Sequence, residues 1–155
     1  MELLYLKKME KTPTIEDIDN EGISEEQITE IEQSIGKIFP SVFREFLFLG
    51  GNEANMIGDM DQGCFVDGEP YWKGFQEECK EEMKNEDVKP KKDFWSFASL
   101  DGGEQFYFFY FFDGEDPKVH FYCSYLDDKD ANLYSGIEDP EYQCSKSAPP
   151  KLQSR

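Results

Sequence analysis

The stretch IEQSIGKIFPSVFREFLFLGG, residues 31–51, decides how the chain folds. Ile28, Ile31 and Ile35 recur at i, i+3 and i+7, which places them on one face of a helix. Just upstream, Ser24-Glu25-Glu26-Gln27 is a capping box: the serine side chain takes a free backbone N–H and the glutamine reaches back. Glu25 and Glu26 then sit in the first turn, where the helix dipole favours them. Gly36 is a natural C-cap, because a left-handed residue closes a helix end at low cost when it has no Cβ. Pro40 opens a second helix, where its missing N–H has no partner to lose. Val42, Phe43, Phe46, Leu47 and Leu49 make that helix apolar on more than one side, so it should be well buried, and Gly50-Gly51 stop it.

Outward from this pair, the pattern changes twice. Residues 52–70 mix turn formers with short apolar runs; Cys64-Phe65-Val66 reads as a short strand closed by Asp67-Gly68. From Tyr71 to Asn85 the helical period returns, with Trp72, Phe75, Cys79 and Met83 as one core stripe and charged residues outside. After the loop Asp87–Asp93 come three apolar runs joined by short turns: 94–100, 106–112 and 119–126. They read as an antiparallel meander. The middle run is FYFFYFF, and a strand without polar alternation is covered on both faces. On the other side, residues 1–22 read as helical in pieces, with Thr12-Pro13 as a helix start and Gly22 as its end. The fold class is therefore α+β, a single domain with N-terminal helices packed on a mainly antiparallel sheet whose central strand is aromatic-rich. It should span residues 1–134. Residues 135–155, ending SAPPKLQSR, should be a polar and partly disordered tail.

Composition bounds the function. The chain has 155 residues, 16 Lys+Arg and 34 Asp+Glu, so its net charge is 16 − 34 = −18. That speaks against nucleic acid, which needs a basic footprint, and against an anionic membrane surface. Fourteen Phe, eight Tyr and two Trp separate it from acidic disordered chains, which lack the apolar surface to offset chain entropy. The start holds only Leu3-Leu4-Tyr5-Leu6 before Lys7-Lys8, the reverse order of a secretory signal. Cys64, Cys79, Cys123 and Cys144 form no close pair and read as reduced thiols. The expectation is a cytoplasmic protein, monomeric or weakly homodimeric.

No catalytic constellation, cofactor or metal site is expected. The one histidine, His120, is three positions from Cys123, and odd spacing in a strand points the two side chains to opposite faces. It should therefore lie on or near the surface of its strand rather than form a nucleophile pair. Asp128, Asp130, Asn132 and Asp139 fit four positions of a calcium loop, but Leu133 replaces the glycine its sharp turn needs. Gly50-Gly51 and Gly102-Gly103 match no phosphate-binding loop. Paired carboxylates of the kind that hydrolyse glycosides arise by chance among 34 acids, and the aromatic run 106–112 reads as core rather than a stacking platform.

The order of elements resembles the SUKH superfamily, which joins a fungal cell-wall-assembly regulator to many small bacterial proteins, a large share of them immunity proteins against secreted toxins. The resemblance rests on residues 31–51, with Gly36, Pro40, Phe43, Phe46, Leu47, Gly50 and Gly51 as the structural motif, and more loosely on Phe97–Tyr122. Phe39 stands where leucine is more usual, and no closing helix is legible at the C-terminus. The resemblance implies a fold and a binding role and carries over no catalytic residue. Acidic residues fill the connecting loops. Glu53, Asp59, Asp61, Asp67, Glu69, Asp101, Glu104, Asp113, Glu115 and Asp116 are the candidate contacts for a basic protein partner, against the plainer reading that they only keep the chain soluble. Three functions follow: an immunity protein that neutralises a basic, nuclease-type toxin; a regulatory adaptor in cell-envelope or glucan assembly; and, in another class, a small glycan- or nucleotide-acting hydrolase.

Overall fold

Ser24 starts the first long element as its sequence requires. Its hydroxyl accepts from Gln27 N, and the Gln27 side chain accepts from Ser24 N at 2.9 Å. The computed structural model describes residues 1–11 and 19–125, with the backbone of 133–135. Helix α1 runs Glu25–Ile35 and ends on Gly36 at φ 66°, the left-handed cap. Helix α2, Ser41–Gly50, follows with Pro40 as its N-cap, one residue later than a proline inside the first turn would place it. Proline offers no capping side chain, and Glu115 supplies one from 74 residues away: its carboxylate accepts from Ser41 N at 2.8 Å and from Ser41 Oγ at 2.5 Å. Helix α3 spans Trp72–Asn85.

The strands are β1 Phe94–Leu100, β2 Gln105–Tyr110, β3 His120–Cys123 and β4 Leu133–Ser135, in one antiparallel sheet of that order. Helices cover both faces. On one, Trp95 and Phe109 pack with Ile28, Ile31, Phe39, Phe43 and Leu47 of the α1–α2 region. On the other, Phe94, Phe106, Phe108, Tyr110 and Tyr122 pack with Phe75, Cys79 and Met83 of α3. Phe39 has a specific place in this arrangement. Its ring lies 5.1 Å from Phe43, 4.8 Å from Trp95 and 5.8 Å from Phe111, centroid to centroid. Such pairs add roughly 0.5–1.5 kcal/mol each beyond burial, which accounts for a ring at a position where leucine is more usual.

Two carboxylates sit inside this apolar frame. Glu32 of α1 is 4% exposed; it accepts from Phe39 N at 2.8 Å and pairs with Arg44 of α2, clamping the α1–α2 connection. Glu45 of α2 is 3% exposed and accepts from the backbone N–H of Leu4, Tyr5 and Leu6 at 2.6, 2.8 and 2.8 Å, so it fastens the N-terminal segment to the domain. At the outer side of β1, the Gln76 amide of α3 both donates to Ser96 O (2.7 Å) and accepts from Ser96 N (3.0 Å). Asp61 exchanges two backbone bonds with Ser99, each 2.8 Å.

Several expectations need correction. Cys64–Val66 is not a strand: Cys64 N donates to Gly51 O and Cys64 O accepts from Trp72 N, so its backbone groups are used in loop bonds. The aromatic run leaves the sheet at Tyr110, where Asp113 N turns back to Tyr110 O, and Phe112 is 71% exposed. The third strand is four residues long and not eight. The helical reading of residues 1–22 reduces to a single 3-10 turn, Met9–Lys11, among the described residues; Thr12-Pro13 lies outside them, as do residues 136–155.

Candidate functional site

The ten loop acids do not form one cluster. Asp101 and Glu104 lie at the end of the sheet where β1 passes to β2, and Asp61 is fixed beside them through its bonds to Ser99. Asp113, Glu115 and Asp116 lie at the opposite end, after β2. Glu53 and Asp59 are in the loop after α2, and Asp67 and Glu69 form a tight turn before α3, closed by mutual backbone bonds between Val66 and Glu69. All except Glu104 are exposed residues, although the side chain of Asp113 is itself half-buried.

Some of these residues carry structural duties. Asp67 and Asp101 hold positive φ, 51° and 53°, a conformation that aspartate tolerates better than most residues. Asp101 Oδ2 also accepts from Gln105 Nε2 at 3.3 Å. Glu115 caps α2, and the Ser41 hydroxyl and amide hold its carboxyl below the usual range. Asp113 pairs with Lys92 at 3.0 Å. Asp116 sits at the rim of an apolar groove of about 200 Å³ lined by Leu6, Val42, Phe46, Met56, Phe97 and Val119.

The motif residues are placed as helix punctuation and core. Gly36 caps α1, Pro40 starts α2, Phe43 and Leu47 are buried in the α1–α2 core and Phe46 packs against it. Gly50 and Gly51 are tight for a different reason than left-handed backbone. A Cβ on Gly50 would come within 2.8 Å of Ala54 Cβ and Met9 Cε, and one on Gly51 within 2.5 Å of Leu47 O.

His120 is not at the surface. It is 8% exposed, with its ring 5.2 Å from Phe108 and 4.9 Å from Tyr110. Its nearest carboxylate is Asp113, at 4.0 Å. It pairs across the strands with Phe108, while Cys123 pairs with Gln105, so the two side chains point to opposite faces. Burial pushes the Cys64 and Cys79 thiols up to about 12, and a thiol so held is not a nucleophile at neutral pH. Among the described residues no group of three His, Cys, Asp or Glu side chains is placed to hold a metal ion. The 128–139 segment lies outside the described residues except for 133–135.

Two acids outside the ten lie next to one of them. Glu82 and Glu86, four apart at the end of α3, are half-buried beside Glu104. A sequence signal was present: acids in a last helical turn oppose the dipole, so a pair of them there is unfavourable without a compensating cation. A family model described as "SMI1 / KNR4 family (SUKH-1)" matches residues 22–141. No curated protein matches the chain.

Proposed function

Taking as premise that this chain belongs to the SMI1/KNR4 family (SUKH-1), we propose that it is an immunity protein that binds and neutralises a cognate toxin through the toxin's basic, nucleic-acid-cutting face. The family includes toxin immunity proteins and cell-wall regulators. Its members are generally non-enzymatic and bind partner proteins. No helix among the described residues is long and apolar enough to cross a membrane, and the proposed setting is the cytoplasm, where such a toxin acts.

The observation that carries the reading is the excess of acid exposed at both ends of the sheet. With 34 acids against 16 Lys+Arg, most carboxylates lack a cation, and several of them protrude from loops held by rigid strands and helix ends. An enzyme that cuts nucleic acid must present a basic surface to the phosphates. A complementary acidic surface steers it into contact, raises the association rate and excludes unlike partners. Covering that surface blocks the substrate, so no chemistry is required of the inhibitor.

The test is co-expression with the product of a neighbouring gene that carries a secretion module and a basic C-terminal domain. The expected result is protection of the cell and a stable complex whose association rate drops at least about tenfold from low to physiological salt. No complex and no protection would overturn the proposal. The regulatory reading is favoured by the family's cell-wall members and makes a different prediction, namely capture of envelope-assembly proteins from unstressed cells.

A further inference from the structure

We propose that the acidic patch where the last turn of α3 meets the adjoining end of β2 and β3, formed by Glu82, Glu86 and Glu104 near the buried hydroxyl of Tyr122, is the seat for an arginine side chain of the protein partner. This rests on the partner-binding reading above and names where one contact falls.

The three acids come from elements locked together. Glu82 and Glu86 are four residues apart, so they share one face of α3. Glu104 closes the 3-10 turn Asp101–Gly103, and its carbonyl accepts from Ser124 N at 2.9 Å. Gly103 is pressed onto α3 so closely that a Cβ there would stand 3.3 Å from Glu78 Cγ. The carboxylates feel one another. Burial raises the Glu82 carboxyl above its ordinary range, and the charges of Glu104 and Glu86 raise it further, against a hydrogen bond with Ser124. None of the three is in an ion pair among the described residues. Half-buried like charges without a cation are a standing cost, which a cation removes.

The second observation lies beneath them. Tyr122 is 0% exposed, its ring stacked on Phe106 at 4.7 Å, and its hydroxyl has no hydrogen-bond partner among the described residues. The hydroxyl is within electrostatic reach of Glu82 and Glu86 yet bonded to neither. A buried polar group is normally paired, and a donor drawn in between would be accepted by phenol and carboxylates alike. The spacing selects the donor. A metal ion needs its oxygens in a shell about 2.0–2.6 Å in radius, and no described group is set for one. A guanidinium is planar, weakly hydrated and carries five donors in a fork, so it bridges carboxylates that stand farther apart.

The experiment follows backbone amide signals of the full chain by NMR during titration with N-acetyl-argininamide, and separately with Mg²⁺ and Ca²⁺. The expected result is saturable shifts confined to residues 82–86, 103–106 and 122–124. Affinity should be about tenfold weaker in the triple variant Glu82→Gln, Glu86→Gln, Glu104→Gln. A charge-matched control, Asp59→Asn, Asp67→Asn, Asp116→Asn, should bind as wild type. Tyr122→Phe, which removes only the unpaired hydroxyl, should fold fully and bind several-fold more weakly. Absence of saturable shifts, equal binding by the glutamine triple, or saturation of the same signals by either metal ion at lower concentration would each overturn the proposal. A toxin complex that forms normally with the glutamine triple overturns the seat and leaves the immunity reading standing. If no toxin complex forms but argininamide binds the patch as described, the immunity reading fails and the seat's chemistry stands.

Discussion

Replacing Glu45 by glutamine tests the claim that one buried carboxylate holds the N-terminal segment. Three backbone donors converge on it: Leu4 N on Oε1, and Tyr5 N and Leu6 N on Oε2. Hydrogen bonds to a charged acceptor contribute roughly 1.5–3 kcal/mol each, against about 1 for neutral pairs. Glutamine can keep its carbonyl toward Tyr5 and Leu6, but its NH₂ must then face the Leu4 N–H, donor against donor. One bond is lost and two are weakened, so the docking of residues 4–6 should fall by about 2 kcal/mol. Hydrogen exchange is the suitable assay, because the segment can detach without unfolding the domain. Protection of the Leu4, Tyr5 and Leu6 amides should drop about 30-fold at pH 7, the equivalent of that energy. Burial works to raise the Glu45 carboxyl, but the three N–H donors and Lys7 outweigh it and hold it below its ordinary 4.5. A depressed carboxylate stabilises above its unfolded pKa, and the gain is lost as pH falls through the folded value. Wild type and Glu45→Gln should therefore converge in acid, below about pH 4.5. Unchanged amide protection at pH 7, or a difference that persists undiminished into strong acid, would refute the reasoning.

Arg44→Leu leaves Glu32 buried with Phe39 N as its remaining described partner; unfolding in urea should show a loss of about 3 kcal/mol, since stripping a buried charge of its ion partner is strongly destabilising. Gly22→Ala would put a Cβ 1.8 Å from Phe48 O, whereas Gly36→Ala meets open space at φ 66° and costs about 1 kcal/mol; thermal melts should rank Gly22→Ala as clearly the worse. Cys64 and Cys79, with thiols near 12, should resist iodoacetamide at pH 8 in the native state and react once the protein is denatured, as read by peptide mass spectrometry. Appreciable labelling of either in the folded protein would contradict their burial.

What the sequence made legible was local and periodic. The Ser24 box, the Gly36 cap, the stripe from Trp72 to Met83 and the first strand each depend on neighbours within a few residues and formed where read, while Pro40 and the next two strands formed with shifted or shortened ends. What was misread or not legible at all shares a different cause. Whether Glu32 and Glu45 are buried depends on Arg44 and on Leu4–Leu6, partners 12 and about 40 residues away. His120 goes inward because the rings of Phe108 and Tyr110 close over it. Phe112 is as aromatic as Phe108, yet a turn bond at Asp113 takes it out of the sheet. The acidic loops were visible as composition, and Glu104 was among the residues singled out. Its grouping with Glu82 and Glu86 was not visible, because it joins a helix end to a strand start some 20 residues on.

The side-chain amide of Gln76 and the backbone of Asp61 acquire a wider meaning from the strands they touch. β1 is the first strand of the sheet, FWSFASL, and an edge strand of that composition is a template on which a second molecule's strand can add. At Ser96 and Ser99 the outward N–H and C=O groups are already bonded, to Gln76 and Asp61 respectively. A protein that must stay dispersed while carrying 24 aromatic side chains has its most adhesive border stapled shut at two points. Net charge of −18 keeps copies apart at a distance, and these four bonds protect against self-association once molecules collide.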